Sequence, residues 1–153
     1  MAFTARAETY TDVDSLSSPY DLSINKPTGT QDGDILFCWI SSYFVEVDSV
    51  PSGWSLLGSY VSNDDKYYLY YKVASSEPAS WTWSFDGTGR VRMVCSCYTS
   101  GDFDGTDPID VVSNTAYRNN DVYVRAASMN VASANSPPCL FNSCQCFLHF
   151  IKT

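Results

Sequence analysis

Histidine is almost missing from this sequence: the one copy, His149, lies in an apolar stretch near the C-terminus. A Ser-His-Asp or Cys-His system needs a histidine poised as general base, and the surroundings of His149 fit a core or rim side chain better. Basic residues are also few, nine Lys and Arg against 17 Asp and Glu, for a formal net charge of −8. Affinity for phosphate backbones comes from clustered Lys and Arg, so nucleic acid is not an expected partner. No run approaches the ~20 apolar residues of a membrane helix, and membrane insertion is not expected. Glu8, Asp12 and Asp14 fall where a secretory signal needs an apolar stretch, so the expectation is a chain made in a cytosol without a signal peptide.

Catalytic signatures are absent too. The chain has no Gly-x-Ser-x-Gly elbow, no Gly-rich phosphate loop joined to a helix and no His-Glu-x-x-His. Acidic pairs such as Asp32 and Asp34, or Asp64 and Asp65, have the residue type that glycoside hydrolysis uses. Spacing alone does not aim them at one substrate, and they read as solvated turns. No catalytic residue is expected, and the chain reads as a non-enzyme.

Aromatic side chains are abundant: 11 Tyr, 8 Phe and 4 Trp, 15% of 153 residues, with only 17% charged. Aromatic and β-branched residues pack well on pleated surfaces. Helical periodicity is nearly absent, and short apolar runs alternate with Gly, Pro, Asn, Asp and Ser clusters, the pattern of antiparallel strands. The expectation is an all-β fold, an antiparallel β-sandwich of jelly-roll or immunoglobulin-like type with about eight to ten strands. A single domain is expected over 1–153, with a polar leader at 1–19 and an atypical closing segment at 139–153.

Tyr20 to Ile24 reads as an edge strand and Ile35 to Val47 as a central one, apolar on both faces before it alternates. A Pro-Ser-Gly turn leads into a strand starting at Trp54. In Tyr67 to Ala74, Tyr68, Tyr70 and Lys72 share one face and Tyr67, Leu69, Tyr71 and Val73 the other. Trp81, Trp83 and Phe85 share a face of the next strand. Asp86 to Arg90, DGTGR, predicts a hairpin turn, followed by a buried strand over Val91 to Tyr98. Ile109 to Val112 and Val122 to Val131 read as later strands.

Three sets of residues have the chemistry of a site. Trp54, Trp81 and Trp83, with the Tyr-rich strand 67–71, offer flat rings on which a sugar stacks, or are simply core. Asp102, Asp104 and Asp107, in SGDFDGTDP, resemble half of a calcium loop without its terminal bidentate Glu; calcium is the one cofactor in view. Six cysteines, at 38, 95, 97, 139, 144 and 146, read as reduced buried thiols in a cytosolic product. A disulfide stays open as an alternative, and so does zinc at Cys139, Cys144, Cys146 and His149, although the two-residue knuckle spacing is missing.

The succession KPTGTQDGDILF, VPSGWSLLGSY and YYLYYKVASSEPASWTWSF, from Lys26 to Phe85, resembles a β-sandwich module of phage tail, tail-fibre and virion structural proteins. The similarity covers about residues 24–112 and extends loosely to 137. It implies a non-enzymatic virion protein, a head-decoration or tail-associated β-sandwich, acting by adhesion in a symmetric particle. The implied partners are other virion proteins or copies of itself as a homo-oligomer. The alternative is a carbohydrate-binding module of a fibre recognising host glycans. The closing segment 139–153 departs from the module, being compressed and rich in cysteine, and an unclosed sandwich edge there would invite pairing with another chain.

Overall fold

The computed structural model describes residues 4–61 and 64–99 in full and the backbone of 109–113, 128–131 and 139–141. Every regular element among them is a β-strand, and every pairing is antiparallel, as an antiparallel β-sandwich requires. The strands fall into two compact units, 1–101 and 102–153. In the second, β7 (Ile109–Ser113), β8 (Ser128–Val131) and β9 (Cys139–Phe141) form a sheet in the order β7-β8-β9.

The first unit is one six-stranded sheet. Its strands are β1 (Ala5–Ser17), β2 (Tyr20–Asn25), β3 (Ile35–Ser49), β4 (Ser55–Val61), β5 (Asp65–Val73) and β6 (Ser80–Tyr98), in the order β1-β6-β3-β5-β4, with β2 also paired to β6. Strand β3 is central, as its doubly apolar start predicts. The residues expected to form a polar leader instead build β1, which alternates exposed and half-buried positions. Its polar side chains mask that alternation in the sequence.

Asp86 to Arg90 is the second departure. No hairpin turn forms there; β6 runs through it as one strand of 19 residues. The segment is a bend shared by three adjacent strands. Beside it β1 gives way to β2 at Ser18-Pro19, and Ser18 N–H donates to the Gly87 carbonyl at 3.0 Å. On the other side β3 shifts register between Tyr43 and Val45, with Phe44 at φ 59°. The buried Ser42 hydroxyl donates to the Val45 carbonyl at 2.7 Å, and Phe44 N–H to the Asp64 carbonyl at 2.8 Å. Glycine is required because the strands close in: a Cβ on Gly87, itself at φ +115°, would stand 2.5 Å from the Phe44 carbonyl oxygen. One on Gly89 would stand 2.0 Å from that of Tyr43.

The bend folds the sheet onto itself. A straight strand would carry Trp83 about 40 Å from Cys95. Yet Tyr70, which shares a cross-strand row with Cys38 and Cys95, has its ring centroid 4.7 Å from that of Trp83. The two layers enclose Leu36, Cys38, Ile40, Tyr70, Val91, Met93 and Cys95 from one side and Leu22, Ile24, Trp81, Trp83 and Phe85 from the other. Along the outer seam the Thr9 hydroxyl of β1 donates to the Asn25 carbonyl at the end of β2, at 2.6 Å.

Candidate binding surfaces

Trp54, Trp81 and Trp83, read as either a ligand platform or core, lie inside this core at 8%, 4% and 0% exposure. Trp54 meets Trp81 edge-on at 5.2 Å and Trp83 at 5.7 Å, so these rings serve packing and offer no face to solvent. Alternation on β6 puts Trp81, Trp83 and Phe85 on one side, and the bend turns that side inward. The indole N–H groups of Trp54 and Trp83 have no hydrogen-bond acceptor among the described residues.

Polar groups beside the core are consumed by structure. The Glu77 carboxylate accepts from the Trp81 indole at 3.0 Å and from Lys72 at 2.8 Å, while Lys72 lies 5.9 Å from the Trp54 ring. Asp34 is 1% exposed and takes Arg6 in a forked contact, Nε to Oδ2 at 2.8 Å and Nη2 to Oδ1 at 3.2 Å. Gln31 N–H adds a bond at 2.8 Å. Asp32 instead accepts from Ser76 N–H at 2.6 Å. The two carboxylates therefore tie different segments together: Asp34 joins β1 to the β2–β3 connector, and Asp32 joins that connector to the β5–β6 loop.

Cys38, Cys95 and Cys97 are free thiols, all fully buried. Cys38 faces Cys95 across β3 and β6. Burial, then the Cys95 thiol, pushes the pKa of Cys38 up; burial, then the Cys97 thiol, does the same for Cys95, and burial for Cys97. Such thiols are inert as nucleophiles. Among the described residues no group of three His, Cys, Asp or Glu side chains is placed to hold a metal ion. The calcium candidates Asp102, Asp104 and Asp107, and Cys144, Cys146 and His149, lie outside the described residues, as does the side chain of Cys139.

Two surfaces remain, and of their residues the sequence singled out only the Tyr-rich strand 67–71. The first is the outer face of β3, β5 and β4. Trp39 and Tyr67, both half-buried, stand 6.0 Å apart with planes inclined by 38°, and Tyr60, exposed, stands 6.2 Å from Tyr67 at 36°. Trp39 could have been found from the period of two in β3, since Leu36, Cys38 and Ile40 fill the core and Trp39 must point the other way.

The second is the free side of β4. Among the described strands it pairs with β5 alone. Leu56, Tyr60 and Val61 are exposed by 52%, 43% and 55%, and Ser55–Val61 contains no charged residue and no proline. Edge strands in solvent are commonly blunted by such residues. The opposite edge is: β1 and β2 carry Arg6, Glu8, Asp12, Asp14 and Asp21, are separated by Pro19 and fold against each other at Thr9 and Asn25. On β4 only a register shift between Leu56 and Gly58 interrupts the ladder. Comparison with protein-family models, curated proteins and solved structures returned no match to this chain.

Proposed function

We propose that the chain is a non-enzymatic structural protein of a virion, a head-decoration or tail-associated β-sandwich that assembles through edge-to-edge strand contacts with copies of itself. The observation that carries the reading is the asymmetry of the two sheet edges. One is charged, interrupted by proline and folded on itself; the other is uncharged and exposes Leu56 and Val61. A chain of net charge −8 repels its own copies over most of its surface, and β4 is a stretch where two copies meet without opposing like charges. The resemblance of Lys26 to Phe85 to virion modules supports placing such an assembly in a particle made in a host cytoplasm.

Light scattering over a range of protein concentrations tests it. The native chain is expected to form a defined oligomer, and the double variant Leu56→Lys, Val61→Lys to be monomeric with an unchanged circular dichroism spectrum. A native chain that stays monomeric at every concentration, or an oligomer indifferent to the two lysines, defeats the proposal.

A further inference from the structure

Independently of assembly, we infer that Cys38 and Cys95 are the two halves of a cross-strand disulfide that joins the central strands β3 and β6 when the chain folds in the presence of an oxidant. Both thiols are free in this structure and fully buried. Register pairs the two residues directly in the β3–β6 ladder, between the pairs Leu36–Cys97 and Ile40–Met93 on the same face. Directly opposed antiparallel residues have Cα atoms about 4.5–5.5 Å apart, inside the range of about 4.4–6.8 Å that a disulfide spans. Their side chains leave the same face of the sheet, and both belong to the enclosed core. Closing the bond asks the two Cβ atoms to draw together by about 1 Å.

The same geometry leaves out the third thiol. Cys97 follows Cys95 on one strand, where Cβ atoms two positions apart run parallel at about 6.6 Å, beyond the separation of about 3.5–4.5 Å that a disulfide needs. Cys97 stands opposite Leu36, and its Sγ donates to the Asp34 carboxylate at 3.5 Å. The oxidant is a small disulfide such as oxidised glutathione. One thiol of the pair loses its proton to water, and its thiolate attacks a sulfur of that molecule, forming a mixed disulfide and expelling one small thiolate. The second protein thiolate then attacks the protein sulfur of the mixed disulfide, forms the Cys38–Cys95 bond and expels the other small thiolate. Two protein thiols are thereby oxidised, and one small disulfide is reduced to two thiols. Burial holds both protein thiols in their protonated form and away from solvent, so the exchange takes place while the chain is folding or opened. The folded core then retains whichever state it closed on.

The test exposes the full reduced chain to oxidised glutathione in two ways, folded in buffer and during refolding from urea, and maps non-reduced peptides by mass spectrometry. The refolded sample is expected to carry Cys38 linked to Cys95, and the folded sample to keep both thiols over the same time. A bond closing so long a loop lowers the unfolding equilibrium constant by about a thousandfold. The linked chain therefore unfolds at higher urea than the same chain refolded with reductant. Cys38→Ala and Cys95→Ala each abolish that shift, and Cys97→Ala keeps it. Should an alanine variant fail to fold, the peptide map of the native chain decides alone. Cys38 or Cys95 found mainly joined to another cysteine overturns the inference, as does the absence of a link between them after refolding. A linked chain no more stable than the reduced one also overturns it, and so does linkage that forms equally fast in the folded sample, because the core is then not sealed.

Discussion

Replacing Gly87 by alanine tests the claim that Asp86 to Arg90 is a bend in a continuous strand and no hairpin turn. Two costs add at this position. Holding a residue with a Cβ at φ +115° costs about 1–3 kcal/mol. The Cβ also lands 2.5 Å from the Phe44 carbonyl oxygen and 3.2 Å from Val45 Cα; both are backbone atoms of the neighbouring strand, and forcing a methyl into such a filled place costs about another 1–3 kcal/mol. The expected loss is thus about 4 kcal/mol, a large part of the roughly 5–15 kcal/mol that stabilises a domain. Gly29 is the control. Its φ is +81° with nothing within 4 Å of the added Cβ, so Gly29→Ala carries the backbone cost alone. Urea unfolding followed by fluorescence of the buried tryptophans measures both. Asparagine, which a two-residue hairpin turn accepts in left-handed conformations, should not rescue position 87, because the obstacle is backbone. If Gly87→Ala is no more damaging than Gly29→Ala, or if Gly87→Asn restores stability, the bend is not held as described here.

Three further outcomes are expected. Arg6→Ala leaves the carboxylate of Asp34 buried without its forked partner; because Arg6 is 28% exposed and water reaches it, the cost is nearer about 2 kcal/mol than the several of a sealed pair, and a urea midpoint that does not move refutes it. Cys38, Cys95 and Cys97 should escape iodoacetamide in the native chain at pH 8 and react in urea, read by peptide mapping; labelling of any of the three in the native state contradicts their burial. Burial, then the neighbouring Tyr68 and Cys38, pushes the pKa of Tyr70 from 10.0 up to about 12. The native state therefore holds a proton that the unfolded chain has lost between those values, and stability falls as pH rises through that window. Tyr70→Phe should lessen the fall in melting temperature between pH 10 and 12, and an identical fall in both proteins would exclude this contribution.

Strand order along the chain was legible because each strand carries its own period. Ile35 to Val47 announced β3 and Tyr67 to Ala74 announced β5. In Ser80–Tyr98 the two halves were legible, but not their continuity: Asp-Gly followed by Gly reads as a turn when only local conformation is weighed. The glycines are there for a contact with Phe44 and Tyr43, more than 40 positions earlier, which no local signal reports. For β1 the reverse holds, since alternation between polar residues leaves no hydrophobic trace and pairing with β6 alone makes the segment a strand.

The candidate surfaces divide in the same way. Composition made the aromatic residues conspicuous, and Trp81 and Trp83 stood out because they share one face of a strand. Their burial follows from the fold of the sheet over Trp83 and Tyr70. Trp39, Tyr67 and Tyr60 come together through the register of three strands, and among the described strands β4 is an edge only by virtue of the strand order. The sequence by itself determined the all-β class, the antiparallel strands and most of their limits, because side-chain period and turn residues act over a few positions. Only the tertiary structure decided which aromatic residues are core and which strand is an edge among the described strands, because both depend on where the sheet bends, and that bend is a packing event among strands distant in the chain.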